Sequence, residues 1–105
     1  MKGYEFHPEA EIDLNQIWEY IAERNPDAAD RVIVQIENTI EGLVPFPHQG
    51  HRRDDLTARP LRFTNAGNYL IAYAPDRKPL WVIAIMHGRR SPRVMAAILR
   101  GREIK

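Results

Sequence analysis

A chain of 105 residues, 44% hydrophobic and 28% charged, is expected to build one core, so residues 1–105 are read as a single domain. The absence of cysteine excludes a disulfide framework and a thiolate metal site, and points to the cytoplasm. The net charge of +1 conceals a division: residues 1–50 hold three bases against ten acids, residues 51–105 twelve bases against four acids. Either the two halves pair with each other, or the basic half forms a face for a polyanion or an acidic protein.

Charged and polar residues interrupt the apolar ones from Met1 to Glu11, unlike a secretory signal, and no apolar run approaches the roughly 20 residues that span a bilayer. No membrane association is expected. Tyr4 and Phe6 flank Glu5 in the two-residue period of a short strand at Gly3–His7. Pro8 suits the first turn of a helix, and Glu9, Glu11 and Asp13 suit its positive end. Leu14, Ile17, Trp18, Ile21 and Ala22 then recur at helical spacing as one apolar stripe. Asn25-Pro26 stops this helix and caps the next, whose stripe is Ala29, Val32, Ile33, Ile36, Ile40 and Leu43. Two such helices joined by a tight turn read as an αα-hairpin.

Pro45, Pro47, Gly50 and the polar residues through Thr57 read as a loop that is mobile or serves recognition. From Arg59 the period returns to two: Leu61 and Phe63 alternate with Arg62 and Thr64, and Asn65-Ala66-Gly67 supplies a turn. NYLIAYA (68–74) and LWVIAIM (80–86) are the next two strands, separated by the polar turn 75–78. The second is apolar throughout, so cover is expected on both faces: helices on one, the C-terminus, a loop or a partner on the other. Ser91-Pro92 opens a short helix with Val94, Met95, Ile98 and Leu99 on its apolar side. The class is α+β: an N-terminal strand, an αα-hairpin, a three-stranded antiparallel sheet and a short C-terminal helix.

Four segments in this order, DLNQIWEYIAERNPDAADRVI (13–33), LRF (61–63), NYLIAY (68–73) and IAIMHGRR (83–90), resemble the ParE branch of the ParE/RelE toxin superfamily. The resemblance implies the toxin of a type II toxin-antitoxin (plasmid stabilisation) system, neutralised by a cognate antitoxin with which it forms a hetero-oligomer. It also implies a target: DNA gyrase for ParE-like members, or mRNA in the ribosomal A site for the RelE-like ribonucleases.

RNA cleavage by 2′-hydroxyl attack needs proton acceptors and donors, and cations to offset the phosphorane charge. Leu70 stands where the resemblance to RelE implies an arginine, and all four tyrosines precede the last strand. No catalytic residue is therefore assigned, and a binding inhibitor is expected; the alternatives are a ribosome-dependent ribonuclease of RelE type and a weakened, non-toxic member that binds its antitoxin. The candidate target-binding residues are Arg62, His87, Arg89, Arg90 and Arg93, with Arg62 expected near the others on a neighbouring strand. The bland alternative is a solvated or antitoxin-paired strand edge. His48 and His51 with Asp54 and Asp55 make too weak a pattern for a metal site. Trp18 and Trp81 are read as core, and no cofactor is implied.

Overall fold

Each of the three α-helices among the described residues begins where a proline follows a side chain that accepts a hydrogen bond from the first turn. The computed structural model describes residues 3–102, and in it His7 Nδ1 accepts from the Glu9 amide (3.0 Å) to open α1 (Pro8–Ala22). Asn25 Oδ1 accepts from the Ala28 amide (3.0 Å) to open α2 (Pro26–Leu43). Ser91 Oγ accepts from the Val94 amide (3.3 Å) to open α3 (Pro92–Arg100). Each cap satisfies an otherwise orphaned donor, and proline costs nothing where the helix needs no amide hydrogen.

The strands are β1 (Tyr4–Phe6), β2 (Arg62–Ala66), β3 (Tyr69–Ala74) and β4 (Leu80–His87), in the spatial order β1-β4-β3-β2. The three later strands pair antiparallel as expected. β1 adds a fourth, lying parallel to β4 with Tyr4 beside Leu80 and Phe6 beside Val82. The chain reaches β4 from β1 only after the helices, so a parallel pairing is sterically open to it. The β2–β3 turn falls at Gly67-Asn68, one residue later than Asn65-Ala66-Gly67 suggests. Gly67 takes φ +58° while Asn68 does not enter the left-handed region, the glycine-first pattern that suits a two-residue hairpin.

Both faces of the sheet are covered. Ile36, Ile40 and Leu43 of α2 and Ala10 of α1 pack on Ile71, Tyr73, Val82 and Ile85. On the other face Met95 and Leu99 of α3, with Leu56 and Leu61, cover Leu70, Ala72, Ile83 and Met86. The chain thus supplies its own second layer.

Two expectations fail locally. Trp18 is 39% exposed, at the margin between the helices, where its indole N–H donates to Asp30 Oδ1 (2.8 Å); a rim position keeps that polar tip satisfied. Trp81 is half-buried, its ring 5.3 Å from that of His7 and under the Arg77 guanidinium at 4.8 Å. The segment after α2 is not a loose loop. Tyr73 Oη donates to the Pro47 carbonyl (2.6 Å) and accepts from the Gly50 amide (3.0 Å), and Arg62 donates to the Gly50 carbonyl (3.1 Å). His51 and Phe63 exchange main-chain hydrogen bonds at 2.8 and 2.7 Å. Only glycine fits at position 50: a Cβ there would lie 2.8 Å from the Phe63 carbonyl oxygen and nearer still to Tyr73 Oη. His48 meets Asp76 (2.9 Å), while Asp54 and Asp55 pair with Arg52 and Arg53. Three of the four side chains weighed as metal ligands, those of His48, Asp54 and Asp55, therefore serve separate partners.

Candidate functional site

Alternation along a strand would send every second residue of β4 to the helical hairpin, but the register breaks within it. Ala72 faces Ala84 and Tyr73 faces Val82, which leaves Ile83 as an extra, bulged residue. Ile83 and Ala84 consequently both lie in the α3-side core, whereas Val82 and Ile85 lie in the hairpin-side core. The bulge shifts the parity of everything after it. His87, two residues beyond Ile85, thereby lines the hairpin side of the sheet with Tyr69, its cross-strand neighbour; the two rings stand edge to face at 5.4 Å.

There the sheet and α1 diverge into a cleft of about 220 Å³. Ile17 and Ile85 supply its apolar surface, Tyr20, Tyr69, His87 and Arg90 its aromatic and cationic walls, and Asp13 and Gln16 its other polar groups. Burial pushes the Tyr69 phenol above its ordinary range, and proximity to Tyr20 pushes it further the same way. The Tyr69 phenol is therefore neutral at physiological pH. His87 Nδ1 accepts from the Arg89 amide (3.0 Å), so the neutral imidazole carries its proton on Nε2 and can donate from that atom.

Arg90 lines this cleft and Arg89 precedes it, whereas Arg93 lines a separate pocket with Asp55, Ala96 and Arg100; all three arginines are exposed and make no ion pair to a described residue. From Arg77 to Arg102 the chain holds seven bases and no acid. α3 begins two residues after Arg90 and, unlike α1 and α2, has no acid in its first turn, so the positive end of its dipole adds to the same field.

Arg62 does not join the group. It pairs with Tyr73, while His87 pairs with Tyr69. Four residues of β3 separate the two positions, about 14 Å along the strand, and Arg62 is engaged with Gly50. Leu70 is 6% exposed and belongs to the α3-side core, on the face away from the cleft. Position 70 is thus an apolar packing position.

Residues missed by sequence reasoning secure the site. β1 ends at Phe6, leaving the edge of β4 beyond Val82 without a strand partner among the described residues. Asp13 Oδ2 accepts from the Ile85 amide (3.0 Å), and Arg102 Nη1 donates to the Ile83 carbonyl (3.0 Å). The two side chains join in a bidentate pair at 2.5 and 2.9 Å. This clasp completes the bulged edge and ties the chain after α3 to the wall of the cleft. Its hydrogen bond to Asp13 holds the Arg102 guanidinium above its ordinary pKa, against the opposite pull of burial. Arg59 reaches the other side of the same turn, donating to the Arg102 carbonyl (2.6 Å) and to that of Leu99. Arg102 joins the basic half to the acidic half by ion pairs, to Asp13 and, at 4.0 Å, to Glu9. A carboxylate and a guanidinium 89 residues apart have no local sequence signature.

The family profile described as ParE toxin of type II toxin-antitoxin system, parDE, matches residues 4–92, from β1 to the first residue of α3. The chain belongs to that toxin family, and membership implies a cognate antitoxin as partner. Comparison with curated proteins returns no match. Among the described residues no helix is long and apolar enough to cross a membrane.

Proposed function

We propose that the chain is a toxin neutralised by its cognate antitoxin in the cytoplasm, and that it acts by binding and inhibiting DNA gyrase rather than by cleaving RNA. The observation that carries this is the run Arg89, Arg90 and Arg93 that follows His87: exposed arginines with no ion pair to a described residue, Arg90 lining an open cleft, while position 70 is a buried leucine. A cationic surface of this kind steers an acidic partner and fixes its orientation. The antitoxin uses the same attraction, laying an acidic, apolar tail over the basic half. Arg62 makes no part of this surface.

A second reading is favoured by one specific feature. Tyr20 and Tyr69 precede the last strand in sequence, yet they stand beside His87 and Arg90 in the cleft. A phenol, an imidazole and a guanidinium are a set capable of acid-base work on RNA in the ribosome. The two readings separate in one experiment. Induction of the chain alone arrests growth, and co-expression of the product of the neighbouring gene relieves the arrest. Purified toxin then blocks gyrase supercoiling or traps cleavage complexes. Arrest with supercoiling intact and codon-spaced mRNA cuts would overturn the gyrase reading in favour of the ribonuclease, and a folded product that leaves growth unchanged would contradict both.

A further inference from the structure

We infer that the cleft between α1 and the Tyr69–His87 end of the sheet anchors the antitoxin, taking one large apolar or aromatic side chain together with a carboxylate close to it in the same segment. The inference rests on the antitoxin partner proposed above and adds the place and the chemistry of one contact. Charge sets half of the match. The lining holds one carboxylate and one guanidinium, those of Asp13 and Arg90. Asp13 already accepts from the Ile85 amide and, bidentately, from Arg102, and this pair is largely buried. Arg90 is exposed and makes no ion pair to a described residue. One positive charge is therefore left uncompensated, and a single carboxylate balances it.

The other half of the match is apolar. Ile17 and Ile85 line the cleft with the rings of Tyr20 and Tyr69. Tyr20 is 77% exposed, so its ring is apolar area left in water until a partner covers it. A tyrosine and an arginine lining one cleft are the side-chain types that most often dominate protein interfaces. At about 220 Å³ the cleft exceeds the roughly 150 Å³ that holds a benzene ring, which suits one ring or branched side chain rather than a whole helix some 10–12 Å across. Gln16 lines the same cleft and offers a donor and an acceptor to the main chain of the incoming segment.

The wall that bears Arg90 is fixed before binding. The Gly88 amide donates to the Asn68 carbonyl (2.8 Å), the Arg89 amide to His87 Nδ1 (3.0 Å) and the Arg90 amide to the His87 carbonyl (3.1 Å). These bonds hold the turn after β4, so little main-chain freedom is lost there when a partner docks. The occupant is assigned as the antitoxin because family membership implies that partner, and an acidic, apolar tail complements this lining. Since His87 and Arg90 also belong to the surface proposed to engage gyrase, a tail seated here excludes that target directly.

The test is isothermal titration calorimetry of the full chain with the purified product of the neighbouring gene, using the natural protein, Tyr20→Ala, Arg90→Ala and Arg100→Ala. Arg100 is exposed in the basic half and lines other pockets, so it reports the general attraction of that half. All three side chains are exposed, and the fold survives each change. Tyr20→Ala and Arg90→Ala should each raise the Kd by about tenfold or more, and Arg100→Ala by less than about threefold. A partner that binds the natural chain and both cleft variants alike would overturn the anchor and leave the antitoxin reading intact. Equal losses in Arg90→Ala and Arg100→Ala would overturn it in favour of diffuse charge attraction. Cleft variants that lose gyrase inhibition but keep the partner's affinity would assign the cleft to the target instead. No binding by the natural chain would overturn the anchor and the antitoxin reading together.

Discussion

The two ends of β3 carry the same kinds of side chain and put them to opposite use. At the C-terminal end Tyr73 lies beside Arg62 and His51, and their region is saturated: the phenol bonds to Pro47 and Gly50, the guanidinium to Gly50, and the His51 main chain to Phe63. At the N-terminal end Tyr69 lies beside His87 and Arg90, facing an open cleft. A tyrosine, an arginine and a histidine therefore do not by themselves make a site. What separates the ends is whether backbone donors and acceptors have already claimed the polar atoms. Gly50 permits the close approach at the first end, and the bulge at Ile83 re-aims His87 at the second.

This contrast predicts different consequences for mutation. The largest effect is expected from the clasp that completes the open end's edge. Asp13→Ala strands the Arg102 guanidinium and the Ile85 amide, and should cost about 3–5 kcal/mol in chemical denaturation. A loss below about 1 kcal/mol would show that the clasp does not stabilise the edge. Tyr73→Phe keeps the ring but orphans the Gly50 amide and the Pro47 carbonyl, with an expected loss of about 1–3 kcal/mol. Hydrogen exchange should report faster exchange at Gly50 in that variant.

At the open end the pattern inverts. Arg90→Glu should leave stability within about 0.5 kcal/mol, since the side chain is exposed and unpaired among the described residues, yet it should weaken toxin action in a growth assay. The smallest effect is in pH. Burial raises the phenols of Tyr4, Tyr69 and Tyr73. A pKa raised on folding contributes stability that is intact below the unfolded value near 10 and is lost as pH climbs through the folded values. Denaturation midpoints should accordingly hold steady up to about pH 10 and fall above it. Tyr73→Phe should flatten part of that decline.

The elements were legible because their signals are local: helical spacing in 14–22 and 29–43, proline after a cap at three starts, strand alternation after Arg59, and an apolar run whose two faces both find cover. The cations of residues 87–93 were legible as a cluster because they are adjacent in sequence. Arg62 was misplaced because composition gives no register, and four residues along β3 set it at the far end. Order in residues 45–57 was hidden because its anchors, Tyr73 and Arg62, lie on later strands. Trp18 was read as core because a stripe has edges that periodicity does not mark. The contribution of Tyr20 and Tyr69 to the cleft was hidden by their place in the chain, well before the strand end that they flank.

The most direct test is gyrase supercoiling titrated with three purified proteins: the natural chain, Tyr73→Phe at the saturated end, and the combined Arg89→Glu, Arg90→Glu and Arg93→Glu variant at the open end, each shown to be folded. Inhibition by the first two, with at least about a tenfold loss for the third, is the predicted result. Inhibition undiminished in the triple variant, or none from the natural chain, would contradict the assignment of the open end as the surface that engages gyrase.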